Sequence, residues 1–229
     1  MPAGSTSRRE FLQATVVAGT LVGVPDRHAS GNDLLRVGPV GCGDRGTGAA
    51  TQALAADPHV WLVAMADAFE DRLQSRAHLK QDEKVGSKVD VAPDHRFVGF
   101  DACQKLLESG VDVVLLYTPP HFRPLHLQAA VQAGKHVFAE KPVAVDGPGG
   151  HSVLESCKLA KTKGLSVVSG LCLRYDRGFR ETVSRLHEGE AGEITTLLAN
   201  DYRSGRWAKP KQSSWTEMYY QMRNWYNFT

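Results

Sequence analysis

One stretch limits the fold of this chain more than any other. Gly41-Cys42-Gly43-Asp44-Arg45-Gly46 lies between an apolar run, Leu34–Val40, and a helix-like stretch from Thr47 to Ala56. The next apolar run, Val60–Ala66, ends at Asp67, 21 residues after Gly46. Strand, glycine turn, helix, strand and acid in that order describe a βαβ unit, because parallel strands need a crossover long enough to hold a helix. Gly41 permits the tight turn, Gly43 lets the backbone approach a pyrophosphate, and Gly46 lets helix and strand pack closely. Cys42 and Arg45 belong to the same turn, and the helix start presents free N–H groups to phosphate. Asp67 is placed to accept hydrogen bonds from the adenosine ribose. A carboxylate there disfavours a 2′-phosphate, so NAD is the expected cofactor, and Arg72 one turn on keeps NADP open. Pro39 disturbs the pattern, since a proline late in a central strand removes a ladder donor.

The alternation of apolar runs and helical segments continues down the chain, the signature of a doubly wound α/β parallel sheet. A helix over Asp101–Ser109 follows Phe97–Phe100, and Val111–Tyr117 reads as a buried strand. That strand stops at Thr118-Pro119-Pro120, and a helix from about Phe122 to Ala133 closes at Gly134. His136–Ala139 is a further strand, followed directly by Glu140-Lys141-Pro142. Gly147–Lys163 reads as a helix and Leu165–Leu171 as the last strand of this domain. Ligands of open α/β sheets bind outside the carboxyl ends of strands, so Thr118, Pro119, Pro120, Glu140 and Lys141 share a crevice with the glycine turn. His121 lies in the same loop, where a solvated histidine and a cofactor contact are both open readings.

Ala133-Gly134-Lys135-His136-Val137 leading into Glu140-Lys141-Pro142, after a Gly-Cys-Gly turn and a Thr-Pro-Pro strand end, resembles the glucose–fructose oxidoreductase / inositol dehydrogenase (Gfo/Idh/MocA) family. The resemblance implies a Rossmann-type domain followed by an α+β, open mixed-sheet substrate domain. It also implies a nicotinamide-dependent oxidoreductase acting on a sugar, cyclitol or related polyol. Under it, Lys141 is the catalytic residue, reaching the nicotinamide ribose and the reacting hydroxyl, where an ammonium polarises the oxygen and relays a proton. Glu140 holds the cofactor ribose or orients Lys141, and Pro142 fixes the turn through a cis bond. Relatives carry Thr-Pro-Asn with a histidine three residues later, whereas Pro120 and Arg123 stand here. Arg174 and Tyr175 are candidates for the substrate wall, with an interdomain salt bridge as the alternative. Some relatives use NAD for transient oxidation in glycoside hydrolysis, and a non-catalytic dinucleotide-binding chain is the third possibility.

Ser7-Arg8-Arg9-Glu10-Phe11-Leu12 opens a run, Leu12–Val24, that holds thirteen residues without a charge. A basic start before a short apolar stretch is an export pattern, too short to span a bilayer, and the arginine pair looks like a twin-arginine signal. The expected organisation is a signal over 1–31, a dinucleotide domain over 32–171 and a partial substrate domain over 172–229, in an exported, periplasmic protein.

The C-terminal stretch raises two expectations. Ile194–Tyr202 reads as a strand of the second domain, and eight aromatic residues crowd positions 202–229, suited to packing under a sheet or at a subunit interface, or to stacking on sugars. No segment matches the family's second-domain histidine motif, so the chain is expected to be a fragment.

The net charge of +2, without a basic stripe, argues against nucleic acid as a partner. Four scattered cysteines, without a Cys-x-x-Cys pair, argue against a zinc site or a disulfide framework. The expected partners are a small sugar or polyol and, for the full-length protein, further copies of itself.

Overall fold

The computed structural model describes residues 34–202 and 205–228. The export-signal reading, Arg8 and Arg9 included, lies outside the described residues. β1 (Leu35–Val40) is the centre of a seven-stranded parallel sheet. The other strands are β2 (Val60–Leu62), β3 (Met65–Asp67), β4 (Arg96–Val98), β5 (Val113–Leu116), β6 (His136–Ala139) and β7 (Val167–Ser169). Their order is β4-β3-β1-β5-β6-β7, with β2 also on β1. The order reverses between β1 and β5, and there the crevice of a doubly wound sheet opens.

The strands read as continuous apolar runs because helices cover both faces of the sheet. On one face α1 (Asp44–Ala56) packs Ala50 and Leu54 with Val37, Leu62 and Met65, joined by Leu73 of α2 (Glu70–Leu73) and Leu79 of α3 (Ser75–Gln81). On the other face lie α4 (Ala102–Glu108), α5 (Arg123–Gln132) and α6 (Gly147–Thr162). They bring Leu106, Leu127, Val131 and Ala160 against Val40, Val114, Leu116 and Val137. Leu54, Leu62, Leu106 and Leu116 are completely buried, and each such side chain stabilises the fold by roughly 2 kcal/mol.

Pro39 does sit in the central strand, and the sheet is built around it. Odd positions of β1 bond toward β2 and β3, as in Leu35 N to His59 O (2.9 Å) and Gly41 N to Ala66 O (2.8 Å). Even positions bond toward β5, as in Asp112 N to Arg36 O (2.8 Å). The missing donor of Pro39 therefore faces Val63 and Ala64, and here the expected single strand Val60–Ala66 breaks into β2 and β3. The pairing slips by one residue between Val37↔Leu62 and Val40↔Ala66. The Val63 carbonyl accepts instead from the His95 imidazole, at 3.1 Å.

Two further expectations change. α1 starts at Asp44 rather than Thr47, with Gly43 as its N-cap, so Gly46 lies inside the first turn. Ile194–Tyr202 forms no strand: Leu197, Leu198 and Tyr202 are 87%, 84% and 92% exposed. β-forming residues become a strand only when a neighbour supplies ladder partners, and none of the described residues does so here. The described residues beyond β7 contain only helical elements: α7 (Cys172–Tyr175), α8 (Arg177–His187), α9 (Glu217–Arg223) and a short 3₁₀ turn.

Candidate functional site

The glycine turn is set by close packing on the end of β5. Gly41 has φ +97°, and a Cβ there would lie 2.7 Å from the Thr118 nitrogen. A Cβ on Gly46 would lie 1.9 Å from the Gly41 oxygen. Gly43 differs, since the nearest atom to its Cβ position is an Arg72 nitrogen at 3.7 Å, leaving the approach to the backbone open. No side chain caps α1 at Gly43, so the first-turn N–H groups are available to an anion. A backbone cradle with room above it fits a dinucleotide pyrophosphate.

Asp67 ends β3 beside this turn. Its two oxygens accept from Cys42 N (2.7 Å) and Phe69 N (2.9 Å). Burial raises its pKa, against the lowering by these two bonds. Asp67 thus braces the turn while its remaining lone pairs stay available to a ribose. Cys42 contributes backbone only; its thiol is buried near the Ala66 carbonyl, and burial pushes its pKa up.

A cavity of about 420 Å³ lies over these groups, within the range of small-molecule sites. Gly41, Gly43, Arg45, Gly46, Asp67, Thr118 and Pro119 line it. Pro120 is buried in the chain, and His121 is exposed with its ring edge-on to Phe122, so neither faces the cavity. Arg123 is 2% exposed and donates to the carbonyls of Thr118 and Pro142. It thereby ties the β5 loop to the β6 loop. Burial lowers the Arg123 pKa to about 10. His126, one turn along α5, bonds Thr118 Oγ1 at 3.1 Å, and burial together with the Arg123 charge lowers its pKa to about 4.

Glu140 and Lys141 diverge. Glu140, 9% exposed, accepts from Arg45 at 3.0 Å, so it faces the glycine turn. The Arg45 guanidinium also lies 5.6 Å from the Tyr117 ring centre. Lys141 is exposed, precedes the cis Pro142, and lines a separate, open cavity of about 870 Å³ with Arg174, Arg180 and His187. Lys141, Arg174 and Arg180 form no ion pair among the described residues, so the salt-bridge alternative for Arg174 finds no acid there. Tyr175 is 59% exposed and outside this cavity.

Other residues of the first cavity escape sequence reasoning. Phe69, Phe100 and Leu125 follow strand ends, whereas Trp207, Met222, Arg223 and Trp225 arrive from the far end of the chain. The aromatic crowding at 202–229 was the only signal for the latter. Among the described residues, no helix is long and apolar enough to cross a membrane, and no cluster of His, Cys, Asp or Glu could hold a metal.

Comparison with known proteins agrees with this fold. The chain is 30% identical over 167 residues to a dTDP-3,4-didehydro-2,6-dideoxy-alpha-D-glucose 3-reductase of Actinomadura kijaniata, covering 72% of this chain and 45% of that protein. It is 24% identical over 216 residues to a glycosyl hydrolase family 109 protein of Streptomyces coelicolor, covering 89% and 43%. The fold matches the crystal structure of scyllo-inositol dehydrogenase from Lactobacillus casei with bound NAD(H) and scyllo-inositol, at a TM-score of 0.56 and 24% identity over 71% of this chain and 44% of that one. The chain thus spans less than half the length of each of these relatives. Residues 35–170 match the model of the oxidoreductase family with an NAD-binding Rossmann fold, Gfo/Idh/MocA, and the chain belongs to that family.

Proposed function

We propose that the protein is an oxidoreductase that binds NAD, with NADP as the second possibility, and transfers hydride between the nicotinamide and a sugar, cyclitol or related polyol. One observation carries this reading. Consecutive residues at the end of β6 face opposite ways, Glu140 toward the glycine turn and Lys141 toward an open, cationic cavity. Backbone N–H groups at the start of α1 would hold the pyrophosphate, and Asp67 the ribose. A bound nicotinamide supplies the hydride acceptor. Lys141 would hold the substrate oxygen and carry its proton at Nζ, while Arg174 orients the substrate. Purified protein should show the nicotinamide absorbance band when it turns over a polyol with NAD. Failure to take up NAD or NADP at millimolar concentration would sink the reading.

The similarity to a family 109 glycosyl hydrolase over 89% of this chain supports a second reading, glycoside cleavage through transient oxidation. Release of sugar from a glycoside with no net NADH would select it over the first.

Residues 1–31 are proposed as a twin-arginine export signal, which directs the protein to the periplasm. Residues 32–171 are then the dinucleotide domain, residues 172–229 part of a substrate domain, and the full-length protein a homo-oligomer. The Arg8–Arg9 pair and the uncharged run after it support the export reading. Changing both arginines to lysine should leave the protein in the cytoplasmic fraction, and normal export of that variant would refute it.

A further inference from the structure

The segment 205–228 is braced against itself. Asn224, fully buried, accepts from Lys209 N at 2.6 Å and donates to the carbonyls of Lys209 and Tyr220. Asn227 donates to the Trp207 carbonyl at 3.2 Å, and the Arg206 guanidinium lies 4.3 Å from the Tyr226 ring centre. These bonds tie residues 206–227 into one closed strap around α9.

The strap meets the dinucleotide core at Phe69 and Asp71. Arg223, 8% exposed, makes a two-pronged ion pair with Asp71, at 2.7 and 2.8 Å. Its guanidinium also lies 3.8 Å from the Phe69 ring centre, and Tyr219 packs edge-on against Phe69 at 5.1 Å. Phe69 and Asp71 lie two and four residues after Asp67, the residue beside the glycine turn. Trp207, Met222 and Trp225 form part of the wall of the same cavity that Gly43 and Asp67 line. Arg223 and Tyr219 pack on Phe69 and Asp71, close after Asp67, so this wall stands at the ribose end of the cavity, and Lys141 lies outside it. An aromatic and thioether wall suits a flat apolar base, and a bidentate arginine–carboxylate pair gives a geometrically specific fastening.

We propose that residues 205–228 are a clasp over the adenosine half of the bound dinucleotide, latched by Arg223 on Asp71 and Phe69, and that the latch sets how slowly the nucleotide leaves. The inference rests on the reading of the crevice as a dinucleotide site. Opening the clasp requires breaking a two-pronged, hydrogen-bonded charge pair whose arginine is buried, a loss expressed mainly in the dissociation rate. The second cavity is not covered by the strap, so substrate reaches Lys141 while the clasp is shut.

The test uses the full chain with NADH and ADP-ribose as probes, the latter lacking only the nicotinamide ring. Displacement followed by stopped-flow fluorescence gives dissociation rates. Arg223→Gln and Asp71→Asn should each speed release of both probes by about ten-fold or more, and the double variant should add little, since the two residues act as one latch. Asp71 is half exposed, so Asp71→Asn keeps the test sound if Arg223→Gln fails to fold. A wild type that takes up neither probe overturns the dinucleotide reading and the clasp with it. A wild type that binds, with the folded latch variants releasing at its own rate, overturns the clasp alone.

Discussion

Arg45, in the first turn of α1, donates to Glu140 at the end of β6 across a distance of 3.0 Å. The pair joins the glycine turn to the loop that carries Lys141, two segments brought together only by the sheet. Its two halves are unequal. The Arg45 side chain is 52% exposed and Glu140 only 12%, while Glu140 also faces the buried charge of Arg123, whose pKa it raises.

That asymmetry ranks two substitutions. Arg45→Gln should lower stability by less than about 1 kcal/mol, because water replaces much of the lost interaction. Glu140→Gln should cost about 2 kcal/mol or more, because it leaves Arg123 buried without its counter-charge. Urea unfolding of both variants checks the order, and equal losses would contradict it.

The glycines separate in sign. Gly41→Ala meets the Thr118 backbone at 2.7 Å in a positive-φ conformation, and should lose at least about 2 kcal/mol and dinucleotide binding with it. Gly48, exposed within α1, has nothing within 4 Å of its Cβ position. Gly48→Ala should raise stability by about 0.5–1 kcal/mol. Thermal and urea melts of the two variants should therefore move in opposite directions.

His126 makes stability depend on pH. Its folded pKa is lowered to about 4 from 6.5 by burial and the Arg123 charge, so the unfolded chain takes up this proton first as pH falls. The stabilisation from keeping the ring neutral is complete above about pH 6.5 and is lost between there and about pH 4, at up to about 1.4 kcal/mol per pH unit. The urea midpoint of the wild type should fall more between pH 7 and pH 4 than that of His126→Gln, which keeps a partner for Thr118. Parallel curves would refute the assignment.

The Lys141 side chain is exposed and forms no bond among the described residues, so its removal should spare stability. Lys141→Met should reduce kcat by about 10²–10⁴, the usual worth of a positioned proton carrier, with dinucleotide affinity nearly unchanged. Retained turnover in this variant would exclude Lys141 from the chemistry.

The glycine turn, Asp67, the Thr118–Pro119 strand end and the Glu140-Lys141-Pro142 loop were legible along the chain, because their signals are local. A positive-φ glycine, a run of β-branched residues or a helix stop acts on immediate neighbours and is written in a few consecutive positions. Pro39 shows the limit of local signals. Its missing donor was visible at once, yet the response, a one-residue slip in the neighbouring strand and a carbonyl passed to His95, depends on which side of β1 the proline faces. Ile194–Tyr202 has strand composition and forms no strand, since pairing needs a partner that composition cannot specify. Long-range placement was equally hidden for Arg123, Arg45 and Arg223. Each is an ordinary helix arginine in sequence, and each finds its acid or carbonyl only when the sheet order and the returning strap bring distant segments within hydrogen-bond reach. Local chemistry thus marked where a nucleotide could sit, whereas the walls of the site came from packing between residues up to 152 positions apart.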